Sequence, residues 1–210
     1  MMSNGKGSIL LITAMAFGIT ACERPPAERP DFQFERLAPD GTPVAEDAAP
    51  GAWACLRDLR NGLLWEAKST EPGLHSHDNT YTWYSEDEGV HFGKPGTRDG
   101  GVCTGSRCDT NGFLDAVNRA GLCGHHDWRI ADRHDFMTIN DPSIDPPGPR
   151  IPTEYFPLMG AREHWTSETY RSYPMGAWVW NTRYGHDRVD GKDQPKPVRL
   201  VRGTLAADDG

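Results

Sequence analysis

Positive charge is scarce in this sequence: 22 Lys and Arg stand against 30 Asp and Glu, for a formal net charge of −8 over 210 residues. General nucleic-acid binding relies on neutralising phosphates with Lys and Arg, so that class of partner is excluded. Long apolar runs are missing too. The uncharged stretch from Ser8 to Ala21 holds roughly a dozen apolar and small residues, where a membrane span needs about twenty. Catalytic signatures are also absent. The sequence has no G-x-S-x-G elbow, no H-E-x-x-H and no glycine-rich phosphate loop, and no enzymatic activity is expected from it.

What is present begins with Lys6, ahead of an uncharged run that ends in Ile19-Thr20-Ala21-Cys22. A basic residue, a short apolar core and small residues in that order make residues 1–21 an export signal to be left out of fold reasoning. The last four residues resemble the lipobox of bacterial lipoprotein precursors. That resemblance implies cleavage before Cys22, acylation of Cys22 and tethering to a membrane, each buried CH₂ contributing about 0.8 kcal/mol. Ordinary secretion, with Ala14 and Ala16 as the cleavage signal, is the alternative. Glu23, where inner-membrane lipoproteins commonly carry Asp, implies the outer membrane. Removing Lys6 takes the net charge from −8 to about −9.

From Glu23 to Pro50 the composition turns to Pro, Ala, Glu and Asp. Such a stretch buries too little surface to offset its ordering entropy. Residues 22–50 are therefore expected to be the lipidated cysteine and a disordered linker, with Phe32 to Leu37 the one place for a packed strand or helix. Residues 51–203 suffice for one domain, and 204–210 read as a disordered tail.

Four cysteines remain in the domain: Cys55, Cys103, Cys108 and Cys123. In an exported protein an even number reads as disulfides, and four allow three connectivities. Cys103 and Cys108 are close enough to close a small loop, which leaves Cys55 for Cys123 and ties the first strand to the end of a helix. A Cys₄ zinc site is the alternative, but paired C-x₂-C knuckles are missing.

Hydrophobic pattern and turn chemistry give the elements. Trp53 to Arg57 and Leu63 to Ala67 flank Asn61-Gly62, a hairpin signal. Asp109 or Thr110 can cap a helix with Phe113, Ala116, Val117 and Ala120 on one face, stopped near Gly121 and Gly124. Asp132 and Asp135 stand at N-cap and N3 spacing before Phe136 and Ile139, which predicts a second, shorter helix. Asp141 to Pro157 is loop, and strands are predicted over His164 to Thr169, Ala177 to Thr182 and Val198 to Arg202.

One series of residues carries a family resemblance. It runs through Cys55-Leu-Arg-Asp, Gly62-Leu-Leu-Trp65-Glu66, Asn79-Thr-Tyr-Thr-Trp83-Tyr84, Cys108-Asp-Thr, Ala116-Val-Asn118 and Leu122-Cys-Gly124. It continues with Asp127-Trp128-Arg129-Ile130, Tyr155-Phe156-Pro157, Trp165-Thr-Ser167, Ala177-Trp178-Val179 and Val198-Arg199-Leu200-Val201-Arg202. In order and spacing this resembles the Lcl C-terminal domain family, named for a collagen-like bacterial adhesin. Trp128-Arg129-Ile130-Ala131 and the terminal V-R-L-V-R also look like parts of C-type-lectin-like and formylglycine-generating-enzyme-like folds. The resemblance implies an α+β domain of twisted antiparallel sheets, two helices and much loop. Ala131 and Asp132 stand where the family usually has Pro-Thr, a change an N-cap tolerates. The family's name-giving member binds sulfated glycosaminoglycans and promotes adhesion, which implies a binding role; the acidic balance opposes a polyanionic ligand.

The expected function is a non-catalytic binding or adhesion module for a glycan or protein partner. The alternative is an accessory lipoprotein that docks onto a larger envelope or appendage assembly. For ligand contact, Trp178 and Trp180 share one side of a predicted strand beside Arg183, Tyr184, Arg188, Lys192, Lys196, Arg199 and Arg202; the alternative is that these cations are solvated strand flanks. Trp65, Trp128 and Trp165 are expected in the core. His75-x-His77 with Asp78 has a spacing that can hold a transition metal, although a polar loop is the plainer reading and no metal is expected. Glu86-Asp87-Glu88, with Asp78, Asp99 and Asp109, supplies oxygens that suit calcium but also suit an ordinary acidic surface. His125-His126-Asp127 is expected to be structural, with an imidazole facing the helix's last carbonyls.

Overall fold

The computed structural model describes residues 25–49 and 51–205, together with Met1. The expected signal 1–21, the lipidation site Cys22 and residues 206–210 of the tail lie outside the described residues. Among the described residues no helix is long and apolar enough to cross a membrane.

The Asn61-Gly62 turn works as its chemistry requires. Gly62 takes φ +78°, a region closed to most side chains, while the Asn61 side-chain oxygen accepts from the Leu63 amide at 3.0 Å. The turn joins β2 (Cys55–Asp58) to β3 (Leu64–Glu66). These pair antiparallel within a five-stranded sheet that also contains β1 (Phe34–Leu37), β4 (Arg129–Ile130) and β8 (Leu200–Arg202), in the order β1-β2-β3-β8-β4. A second antiparallel sheet, order β5-β6-β7, consists of β5 (Glu163–Thr169), β6 (Gly176–Asn181) and β7 (His186–Gly191).

Three helices accompany the sheets. α1 (Glu88–His91) is one turn capped by Asp87. α2 (Thr110–Ala120) is capped by Asp109 and ended by Gly121 at φ 81°, with Phe113 and Val117 wholly buried. α3 (Arg133–Thr138) carries the reciprocal capping box of Asp132 and Asp135. Beyond α2, the His126 ring nitrogen lies 2.7 Å from the Asn118 carbonyl. The architecture is α+β and loop-rich, with two disulfides: Cys55 to Cys123, 68 positions apart, and Cys103 to Cys108, 5 apart.

The five-stranded sheet runs between two hydrophobic cores. Period-2 alternation sends Leu56, Trp65 and Val201 to one, with Phe136, Phe156 and Trp180. It sends Cys55, Leu64 and Leu200 to the other, with Tyr81, Trp83, Phe113, Trp128 and Trp165. β1 obeys the same rule: Phe34 enters the first core and Leu37 the second.

That strand corrects the expectation of a disordered linker at Phe32 to Leu37, the place left open for a packed element. Phe34 to Leu37 pairs with Cys55 to Asp58 in a full antiparallel register, and Phe32, Phe34 and Leu37 are buried. The Pro- and acid-rich composition of the whole stretch hides three large apolar residues whose burial repays their ordering. Beyond the domain's expected end at 203, Leu205 packs on the first core.

Candidate functional site

The aromatic-basic surface expected near the C-terminus does not assemble. β6 is covered on both sides: Ala177 and Val179 enter the second core and Trp180 the first, stacked on Phe136 with ring centroids 6.1 Å apart. Trp178 is half-buried beneath the Arg133 guanidinium, 4.1 Å from its ring centroid. The cations are spent on acids. Arg188 and Lys196 both bond Glu163 and Asp190, and Arg202 bonds Asp127 at 2.6 Å. Arg199 is internal, donating to the Glu66 carbonyl at 2.9 Å. Arg183 and Tyr184 are exposed on the turn between β6 and β7, where Tyr184 stacks on His186. Trp180 and Arg199 are therefore corrected from ligand-contact residues to core residues. The one-wet-face assumption behind their assignment fails for a strand sandwiched between two cores.

The metal candidates are likewise engaged. His75 Nδ1 lies 2.8 Å from Glu66 Oε1, and His77 Nδ1 lies 3.1 Å from Asp78. No group of three or more His, Cys, Asp or Glu able to hold a metal occurs among the described residues. Three of the acids considered for calcium serve the backbone. Asp87 and Asp109 accept from Gly89 and Gly112 amides at 2.8 and 2.6 Å, and Asp99 accepts from the Cys108 amide at 2.7 Å.

Glu66 organises a buried charge cluster on the sheet's second face. Its carboxylate receives Lys68 Nζ at 2.7 Å, His75 and the Leu200 amide at 3.2 Å. Burial opposes its ionisation, yet Lys68, His75 and Arg199 hold the carboxyl down at about 2. Burial lowers Lys68 to about 8 against the pull of Glu66. His164, buried within the same charge field, is pushed well below the ordinary histidine value and stays neutral.

The structure places a cleft elsewhere, of about 780 Å³, where the N-termini of all three helices meet β4 and the C-terminal segment. Its walls come from Tyr84 and Ser85, Asn111 of α2, Asp132 and His134 at the start of α3, Ser167 of β5 and Thr204. The floor is fixed by hydrogen bonds. Tyr84's backbone accepts from the Thr110 hydroxyl at 2.6 Å and donates to it at 2.9 Å, while Trp83 Nε1 donates to the Thr166 carbonyl at 2.9 Å. Arg129 grips Asp135 through two nitrogens, at 2.5 and 2.8 Å, and holds the Gly203 carbonyl at 3.0 Å. Asp132 is raised by burial, and the charge of Asp135 adds to this.

Chemically, this cleft sets hydroxyls, an amide and acids beside Trp83, Tyr84 and the apolar Val90, Leu114, Ile130 and Leu205, with its one arginine already neutralised. It suits a neutral or cationic polar ligand better than a polyanion. Sequence reasoning saw Asp132 and Asp135 only as helix caps and passed over Ser85, Asn111, Ser167 and Thr204. These residues lie in four separate segments, and no spacing rule joins them.

A family model described as the Lcl C-terminal domain matches residues 54–202. No curated protein and no solved structure matches the chain. The matched span takes in β2 through β8, both disulfides and nearly every wall of the cleft, and the chain belongs to the Lcl C-terminal domain family.

Proposed function

We propose that this protein is a non-catalytic binding module, exported and tethered through Cys22 to the outer membrane, that holds a neutral glycan in the cleft beside Tyr84 and Asn111. The observation that carries the reading is the division of labour in that cleft. Its carboxylates are committed to helix caps and to Arg129, which argues against acid–base catalysis, while hydroxyl and amide groups and the Tyr84 ring stand at its walls. Sugar rings offer hydroxyls to such polar groups and an apolar face to an aromatic ring. The disulfides fit an oxidising, exported setting. In the five-stranded sheet β1 forms one edge, and β4, which lines the cleft, forms the other.

A glycan array with the processed protein tests this. Retention of neutral glycans that persists at high salt, and is lost in Tyr84→Ala and Asn111→Ala at unchanged melting temperature, supports the reading. Retention confined to sulfated glycans and abolished by salt overturns the neutral ligand. Absence of any retention, with co-purification of an envelope assembly, replaces it with the docking alternative. Intact-mass analysis of the native N-terminus checks acylation of Cys22.

A further inference from the structure

A second pocket, of about 420 Å³, is built from three segments far apart in sequence. It is lined by Lys94, Pro95, Gly96 and Thr97 on one side and by Tyr173, Met175, Gly191, Lys192 and Asp193 on the other. Two of the chain's large exposed apolar side chains, Tyr173 and Met175, stand at its rim, 60% and 51% exposed. Just outside it, Arg171 lies over the Phe92 ring at 4.9 Å. In a protein with net charge −8, this aromatic and basic ground sits where the glycan cleft does not reach.

The chemistry of the pocket rests on Lys192. Its side chain is buried, only 3% exposed, and no carboxylate bonds it among the described residues. Nζ donates to the Lys94 carbonyl at 2.6 Å and lies 3.9 Å from the Trp83 ring centroid. An ammonium has three N–H donors; here one meets a carbonyl and one ring face is close, so the group is short of acceptors and lacks a counter-charge. Compare Lys68 and Lys196, each of which is bonded to a carboxylate. Burial lowers Lys192 to about 8 with no opposing partner, the expected cost of a desolvated cation without an acid. The surroundings hold the lysine in place: a Cβ at Gly96 would meet the Trp83 carbonyl oxygen at 2.0 Å and Lys192 Cδ at 3.3 Å. Lys94 adds a second positive charge to the wall against the single Asp193.

We infer that this pocket binds a carboxylate carried on an apolar body, the carboxylate answering the unpaired Lys192 and the apolar part lying against Tyr173 and Met175. A desolvated cation gains most from an anion that completes its hydrogen bonding, and two exposed apolar side chains supply the area for the remainder. The same chemistry occurs in a small free carboxylate and at the C-terminus of a peptide ending in an apolar residue. The inference concerns a different pocket from the glycan cleft and stands or falls without it.

The test uses the full chain, titrated by calorimetry with 3-phenylpropionate and with a short peptide ending in Phe, beside the amide of each. The expected result is binding of the carboxylates and none of the amides, weakened roughly tenfold or more in Lys192→Met and several-fold in Tyr173→Ala. Binding of both carboxylates identifies a small-molecule site, and binding of the peptide alone identifies a chain-end site. Equal binding of acids and amides, or no binding of either acid at millimolar concentration, overturns the inference. Undiminished affinity in Lys192→Met also overturns it. If Lys192→Met does not fold, the exposed Tyr173→Ala decides, and unchanged carboxylate affinity there overturns the inference.

Discussion

The two cores on either face of the five-stranded sheet differ in what secures them. The core behind Cys55 is stapled by the Cys55–Cys123 bridge and bordered by the Glu66 charge cluster, and apart from Leu37 its buried residues lie within the family match. The core behind Trp65 has no disulfide. It is held by aromatic contact, Trp65 lying 5.8 Å from Phe136 and 6.0 Å from Phe156, and it is closed by Phe32, Phe34 and Trp53, which precede the matched residues. The family domain thus brings one finished core and leaves the other to be completed by the chain before it. The N-terminal segment is part of the fold as well as the connection to the proposed anchor.

That contrast can be broken most sharply at Trp65. Replacing it with Ala removes the largest wholly buried side chain of the unstapled core and is expected to cost toward 5 kcal/mol, read by denaturant unfolding. A cost below about 2 kcal/mol would mean that aromatic packing is not what holds this core. The stapled core answers to the double change Cys55→Ala with Cys123→Ala. Opening a bridge across 68 positions is expected to cost about 4 kcal/mol, against about 2 for the Cys103–Cys108 loop. Equal costs for the two bridges would remove the special place given to the longer one.

A smaller effect measures the N-terminal contribution. Phe34 lies 4.9 Å from Tyr155 and 5.4 Å from Phe156, so Phe34→Ala is expected to lower stability by about 3 kcal/mol. No change would return this segment to the role of a linker. A further effect is on pH dependence, through Glu66 beside the stapled core. The Glu66 carboxyl is held at about 2 in the fold against 4.5 ordinarily. The unfolded chain therefore takes up its proton first as pH falls. The stability Glu66 lends is complete above about pH 4.5 and is lost toward pH 2, about 3 kcal/mol for the full shift. Melting temperatures across this window should fall less steeply in Glu66→Gln than in the native protein, and parallel curves would show that the cluster does not couple folding to protonation.

Local chemistry made much of this architecture legible. Asn61-Gly62 marked the first hairpin, Asp109 and Gly121 bounded α2, and the Asp132 and Asp135 spacing located α3, because each signal acts within one turn of chain. The two-residue β4 goes unpredicted, β1 is legible only as an alternative within the linker, and β7 gives no signal at all, the last two for opposite reasons. β1 lies within a Pro- and acid-rich stretch whose average composition conceals Phe32, Phe34 and Leu37. β7 is an edge strand that presents His186, Asp187, Arg188 and Asp190, a charged pattern that prevents further pairing and gives no apolar period to read. The predicted aromatic-basic surface failed because proximity in sequence says nothing about which cations meet acids. Glu163 of β5 and Asp190 of β7 neutralise Lys196, which lies outside both strands.

By itself, then, the sequence determined the family, the α+β class, the compatible cysteine pairing and the helix caps, since these rest on residue identity and spacing over short distances. Only the tertiary structure decided that the central sheet has two buried faces, that a cleft forms where three helix N-termini meet, and that Lys192 is left without an acid while its neighbours in sequence are paired. The reason is physical: burial and charge pairing depend on which segments meet in space, and that is set by the joint packing of both cores.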